Sequence, residues 1–186
     1  MFFPYDGKAT ELPEPETEKE EILLRTRVFE VVRKTYRGGM ERIFVRHRGA
    51  VTVIATTPRG RILLVRQFRA PIGEWLWEIP AGTLEEGEDP LLCAQRELEE
   101  ETGFSSPEWS YLFSVCLAPG YSSEIIHFFR AQNACPLEGD IREGDADEVI
   151  YYLEVSKEEA QTMLAEGVIK DAKTLIGLQY WLSEKP

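Results

Sequence analysis

Apolar and polar positions along this chain change period several times, and the changes mark the elements. From Ile22, the runs ILLRTRVFEVVRKTYR and ERIFVRH are rich in β-branched and aromatic residues and are separated by Gly38-Gly39. That is the pattern of two strands joined by a turn. AVTVIATT and RILLVRQF follow, linked by Pro58-Arg59-Gly60, a hairpin signal. WLWEIPAG, YLFSVCL, EIIHFFRA and VIYYLEV read as further strands. After WLWEIPAG the period becomes helical: Leu91, Ala94 and Leu98 fall at i, i+3 and i+7. Asp89-Pro90 reads as an N-cap with proline at the first helical position, and Gly103 as a left-handed stop. Ser156, with Glu159 three residues later, opens a second helix through a capping box, ending near Gly167. A third helix is expected from about Asp171 to Leu182. There are no internal repeats. Strands mixed with a central helix and two terminal helices predict an α/β (α+β) sandwich.

The central helix carries unusual charge. Glu97, Glu100 and Glu101 sit at i, i+3 and i+4, so their carboxylates share one face. They repel one another and lie near the helix C-terminus, where the helix dipole disfavours negative charge. Hard divalent cations take oxygen ligands of this kind. An E-x-x-E-E run alone is equally a solvated helix face. Here it belongs to a longer array, Gly82, Glu88, Arg96, Glu97, Glu100, Glu101 and Gly103, with Leu98 and Phe104 in apolar slots. Seven fixed residue types at about 5–7% usage each coincide by chance on the order of once per few hundred million placements. Arg96 is always cationic. It suits a structural role, holding Glu88 or one of the acidic residues through a charge-assisted hydrogen bond. Gly82 reads as a backbone turn.

Composition narrows the class. With 186 residues and 43% hydrophobic content, one domain with a sizeable core plus an extension is expected. No apolar run approaches the roughly 18 residues of a membrane span, and the start lacks the basic and apolar regions of a signal peptide. Cys93, Cys116 and Cys135 are odd in number and lack C-x-x-C spacing, against a disulfide framework or a zinc site. Cys93 falls inside the central helix and reads as core. A cytoplasmic protein is the natural inference. The net charge of −12 excludes a general nucleic-acid binder, which needs a basic face. It leaves phosphate-bearing substrates open, because bound divalent ions reverse the local field. Met1 to Glu21 holds seven acidic residues and two lysines and reads as a flexible acidic arm.

The array Gly82 to Phe104, G-x5-E-x7-R-E-U-x-E-E-x-G-U with U apolar, resembles the signature of the Nudix hydrolases, which cleave nucleoside diphosphates linked to another group. The resemblance runs from Ile22 to Pro186. It implies a Nudix-type α/β/α sandwich with a mixed β-sheet, preceded by N-terminal antiparallel strands. The implied organisation is an arm at 1–21, strands at 22–49 exchanged in a homodimer, and a hydrolase domain at 50–186. It also implies Mg²⁺, or Mn²⁺, held by Glu97, Glu100, Glu101 and the carbonyl of Ala81.

Outside the array, Leu117-Ala118-Pro119-Gly120-Tyr121-Ser122-Ser123-Glu124 resembles the ADP-ribose pyrophosphatase subgroup, with Pro119 fifteen residues past Phe104. Ala118 stands where that subgroup often has Ser, and Pro119-Gly120 alone would be an ordinary turn. Val65 to Arg69 and Trp77 to Gly82 resemble the same subgroup. By that resemblance Arg66 and Arg69 are candidates to touch phosphate or ribose, or else are surface arginines at a strand end. Glu78 is a candidate to meet a ribose or a ligand water, or else forms a structural ion pair. Phe29, and more weakly Tyr36, are candidates to stack on adenine in the partner's site, with ordinary core packing as the other reading. A general base is implied in the loop Arg142 to Glu148: Glu148 first, Glu143 second, Asp145 and Asp147 behind. His47 and His127 read as ordinary strand residues. The implied activity is metal-dependent hydrolysis of ADP-ribose to AMP and ribose 5-phosphate. The alternatives are another nucleoside diphosphate sugar such as GDP-mannose, or a ligand-sensing Nudix domain that binds without hydrolysing.

Overall fold

The structure, a computed structural model, describes residues 14–137 and 151–184. An N-terminal sheet is built from β1 (Thr17–Arg25), β2 (Phe29–Tyr36) and β3 (Met40–His47), antiparallel in the order β1-β2-β3. Then come β4 (Ala50–Ala55), β5 (Ile62–Arg69), β6 (Glu74–Glu78), β7 (Ala81–Thr83), the helix α1 (Pro90–Thr102), β8 (Phe104–Ser105), β9 (Glu108–Val115), β10 (Ile126–Gln132), β11 (Cys135–Pro136) and β12 (Tyr151–Val155). Helices α2 (Lys157–Ala165) and α3 (Ala172–Ser183) close the chain.

The helices end where local chemistry predicts. Asp89 caps α1 by accepting from the N–H groups of Leu91 and Leu92, and Gly103 stops it at φ 70°. Ser156 and Glu159 form the reciprocal capping box of α2. Asp171 caps α3 through the N–H of Thr174.

Two sheets form the body. One has the order β7-β4-β10-β9 and is mixed: β10 runs parallel to β4, while β7 and β9 are antiparallel to their neighbours. The other is antiparallel, β12-β5-β6. Strand β4 is buried along its whole length. Val51, Val53 and Ala55 pack with Cys93, Ala94 and Leu98 of α1. Ala50 and Ile54 pack with Ala160, Leu178 and Trp181 of α2 and α3. The body is therefore helix, sheet, helix, as expected. Among the described residues no helix is long and apolar enough to cross a membrane.

Three local expectations change. The run from Ile22 to Arg37 is not one strand. It turns at Thr26, whose hydroxyl accepts from the N–H groups of Val28 and Phe29, so β1 folds back on β2. Thr17 to Glu21, assigned by sequence to the acidic arm, belong to β1. Their order has an electrostatic cause: Glu20 lies 3.3 Å from Lys34 and 2.5 Å from Arg46, and Glu21 lies 3.4 Å from Arg33. Single exposed pairs of this kind contribute only about 0–1 kcal/mol, but here they line up along a paired strand. Finally, the turn at Pro58-Arg59-Gly60 forms, with Gly60 N–H on the Thr57 carbonyl, yet it does not make a hairpin ladder. After a single bridge between Thr56 and Ile62, β4 and β5 separate into different sheets.

The separation gives the next stretch its importance. β6 belongs to one sheet and β7 to the other, so the chain crosses between sheets over Ile79-Pro80. Pro80 has no N–H to offer a ladder. Its carbonyl accepts from Val53 N–H at 2.8 Å and from Thr52 Oγ1 at 3.0 Å. Gly177 lets α3 lie close to this crossing: a Cβ there would meet Ile79 Cδ1 at 2.6 Å.

Candidate active site

Strand β7 emerges from the crossing and lies against α1. Here the acidic face finds its surroundings. Glu101 is buried and accepts from the Ala81 N–H at 3.0 Å. Glu97 packs onto Gly82: a Cβ built on Gly82 would fall on the Glu97 carboxylate. Gly82 is therefore required for space and not for a turn, since it lies within a strand. Any side chain at this position would evict Glu97.

Arg96 stands in the middle of the remaining carboxylates. Its Nε donates to Glu88 Oε1 at 3.1 Å and its Nη1 to Glu100 Oε2 at 2.9 Å, while Glu97 Oε1 lies 2.7 Å from Nη1. The structural role expected for Arg96 is met, with Glu88 as its two-oxygen partner. Burial works against the Arg96 charge, and the ring of carboxylates outweighs it, so the guanidinium is held protonated more firmly than in free arginine. Glu88 also accepts the Glu85 N–H at 2.9 Å. Burial would raise its carboxyl, and Arg96 together with that N–H keeps it below the usual range.

Glu97 differs. Only 13% of its side chain is exposed. Burial, reinforced by the negative charges of Glu100 and Glu88, outweighs Arg96 and pushes its carboxyl up to about 7. Three carboxylates thus meet one arginine in a partly dry site, with a fourth, Glu101, beside them on the Ala81 N–H. Neighbouring Cys93 is fully buried, and burial pushes its thiol up to about 12. It is a core residue, as its sequence position indicates.

Glu97 and Glu100 are turned toward Arg96 and Glu101 toward Ala81. Among the described residues no three His, Cys, Asp or Glu side chains converge as a group that could hold a metal ion. The donor chemistry nevertheless fits a hard cation: anionic oxygens, crowded, under-neutralised and seated against a strand with no side chain at Gly82.

Glu78 and Arg69 are brought together. Arg69 grips Glu78 with two parallel bonds, Nε to Oε1 at 2.7 Å and Nη2 to Oε2 at 2.6 Å. Lys173 of α3 bonds the same carboxylate and lies 3.1 Å from Asp171. Burial would raise the Glu78 carboxyl, but Arg69 and Lys173 hold it below the usual range. The ion-pair reading of Glu78 is therefore what the side chains form. Lys173 and Asp171 were not singled out from sequence. Asp171-x-x-Thr174 is recognisable as a helix start, but its partner at Glu78 is 95 residues from Lys173.

Arg66 is exposed and lies over the Trp77 ring at 5.5 Å. Phe29 is half-buried in the N-terminal sheet, paired in register with His47. Pro119 is exposed in the loop before β10. That loop is stitched to β3: Val45 N–H donates to the Tyr121 carbonyl, Ser123 N–H to the Val45 carbonyl, and His47 N–H to Ser123 Oγ. Glu148, Glu143, Asp145 and Asp147 lie outside the described residues.

Comparisons with known proteins agree with this architecture. Residues 46–176 match the family described as the NUDIX domain. The chain is 42% identical over 140 residues to an ADP-ribose pyrophosphatase of Bacillus subtilis, covering 75% of each protein. It is 43% identical, over the same shares, to a methanol dehydrogenase activator of Bacillus methanolicus. To a GDP-mannose pyrophosphatase of Yersinia enterocolitica it is 38% identical, covering 74% of this chain and 75% of the relative. A crystal structure of an ADP compounds hydrolase superposes with a TM-score of 0.74 at 24% identity, covering 94% of this chain and 97% of the other, which supports the fold. With the family matched across most of the chain and the acidic face of α1 seated on Gly82, this protein belongs to the Nudix hydrolase family.

Proposed function

We propose that the protein hydrolyses the pyrophosphate bond of ADP-ribose, releasing AMP and ribose 5-phosphate, with Mg²⁺ or Mn²⁺ as cofactor. The observation that carries this reading is the partly buried carboxylate face of α1, Glu97, Glu100 and Glu101, packed beneath Ala81-Gly82. The substrate assignment rests on the relative named ADP-ribose pyrophosphatase and on the Pro119 segment. GDP-mannose is the second reading, favoured by the relative named for it.

Glu97, Glu100, Glu101 and the Ala81 carbonyl would hold the cations. Bound there, divalent ions supply charge neutralisation of the pyrophosphate and an activated water. Arg96 offsets the mutual repulsion of Glu88, Glu97 and Glu100 and holds them together, and Gly82 leaves the space that Glu97 needs. Arg69, its guanidinium plane fixed by Glu78, would offer its remaining N–H groups to an anionic oxygen, and Arg66 is a second candidate. Most of the rate enhancement comes from positioning and electrostatic stabilisation. The general base comes from the 143–148 segment, Glu148 first.

A homodimer is part of the proposal. The β1-β2-β3 sheet and its first turn leave Ile22, Leu23, Leu24, Val28, Met40 and Ile43 exposed, apolar surface of the kind that an interface covers. Exchange of these strands would place Phe29 in the partner's site.

Four outcomes follow. In a panel of ADP-ribose, GDP-mannose, NADH, diadenosine polyphosphates and 8-oxo-dGTP with Mg²⁺, ADP-ribose should give the highest kcat/KM, with AMP and ribose 5-phosphate identified by chromatography. A preference for GDP-mannose transfers the assignment to the second reading. Glu101→Gln should lower kcat by at least roughly a hundredfold with the fold retained by circular dichroism; near-parental turnover would remove Glu101 from the site.

The raised Glu97 carboxyl makes a pH prediction for the metal-free protein. The folded state binds this proton more tightly than the unfolded chain, whose carboxyl titrates near 4.5. Stability should therefore fall as pH rises from about 4.5 to about 7, by about 3 kcal/mol, and then level off. Urea unfolding in chelator across that range checks it, with Glu97→Gln expected to flatten the slope; an equal slope in the variant assigns the proton elsewhere. Light scattering should give twice the chain mass of 21.3 kDa, and a monomer would remove the strand-exchange argument.

A further inference from the structure

The chain crosses from one sheet to the other over Ile79-Pro80, just before Ala81, whose N–H meets Glu101 of α1. Between the last β5–β6 pair, Val65 with Glu78, and the β4–β7 pair Thr52 with Ala81, the Ile79 N–H belongs to neither ladder. It is buried. A buried N–H without a partner is costly, and here the partner comes from α3: Ile79 N–H donates to Thr174 Oγ1 at 2.9 Å. Thr174 is fully buried, and its hydroxyl in turn donates to Asp171 Oδ2 at 2.6 Å. Both roles of the hydroxyl are thus set, proton toward Asp171 and lone pair toward Ile79. Asp171 is held in place because the same oxygen accepts the Thr174 N–H at 2.9 Å.

We infer that Asp171 and Thr174 are positioning residues for the cation site on α1, acting through the Ile79 peptide. This rests on the proposed cofactor reading. The crossing is gripped from two sides. Thr174 holds the Ile79 N–H from α3, and β4 holds the Pro80 carbonyl through Val53 and Thr52. Thr174 thus fixes the Glu78–Ile79 peptide and β4 the Pro80–Ala81 peptide, and together they leave little freedom to Ala81. Its N–H meets Glu101, and its neighbour Gly82 accommodates Glu97. Release of the Ile79 N–H lets the crossing tilt, and the tilt is delivered to Ala81 and Gly82. Nothing in this relay touches substrate, so its loss acts on cation binding and not on recognition of the sugar nucleotide. Hydrogen-bonding partners just outside a coordination shell typically carry effects of this kind.

The test uses the full-length protein and Mg²⁺ alone as probe. Mg²⁺ is titrated against the thermal unfolding temperature, and the half-saturating concentration is read for parent, Thr174→Val and Thr174→Ser. Val keeps the shape and removes the hydroxyl; Ser keeps the hydroxyl. Thr174→Val should need roughly tenfold more Mg²⁺ or beyond, and Thr174→Ser should stay within about twofold of the parent. At saturating Mg²⁺, KM for ADP-ribose should be unchanged in both. Parental Mg²⁺ affinity in Thr174→Val overturns the inference, as does a Thr174→Ser variant as weak as Thr174→Val. If Thr174→Val does not fold, Thr174→Ala carries the test, because it removes the same hydroxyl without placing a methyl group against the Ile79 N–H: weakened Mg²⁺ binding supports the relay and parental binding overturns it. A parent protein that shows no Mg²⁺ response removes the cofactor reading itself, and the relay with it.

Discussion

A helix that carries four carboxylates on and beside one face has to be packed against a sheet, and the rest of this fold is arranged around making that possible. Burying charge is costly unless it is paired. Arg96 answers part of the problem by meeting Glu88, Glu97 and Glu100 at once. The Ala81 N–H answers another part by meeting Glu101. What is left is Glu97, pressed onto Gly82, with its carboxyl raised to about 7. Burial and the neighbouring carboxylates outweigh what Arg96 supplies to it, and on the proposed reading a divalent cation would supply the rest.

The strand that receives this helix is only three residues long and is held by its ladder with β4 on one edge. The crossing before it is held as well, by β4 and α3. α1 and α3 therefore act on opposite sides of the same short segment, Glu78 to Gly82. Lys173 and Arg69 bind the Glu78 side chain, Thr174 binds the Ile79 backbone, and Gly177 leaves room for the Ile79 side chain. The C-terminal helix is thus a buttress of the site, although it supplies none of the carboxylates on the acidic face.

Much of this was legible in the chain. The three helices, the caps of α1 and α2 and the left-handed stop at Gly103 follow from signals within a few residues of each other, and the structure has all of them. The acidic face of α1 was legible for the same reason. Misreadings arose where distant partners decide. Gly82 looked like a turn, because nothing nearby in sequence reveals that Glu97 will be folded onto it. Pro58-Arg59-Gly60 looked like a hairpin, and it is a turn between strands that part, because β4 is drawn into a fully buried position beside β10. The acidic segment before Ile22 looked unstructured, and Thr17 onward pairs because basic residues of β2 and β3 face it.

By itself, then, the sequence determined the family, the helix limits and the crowding of carboxylates, since these depend on spacing along one helix and on caps a residue or two away. Tertiary structure alone decided which charges pair and which are left over. The Arg69–Glu78–Lys173 cluster, the Thr174 bond to Ile79 and the seat of Glu97 on Gly82 join elements that meet only when two sheets and three helices have packed. Periodicity encodes which face of an element is apolar, but the identity of a buried partner depends on how elements far apart in the chain are brought into register.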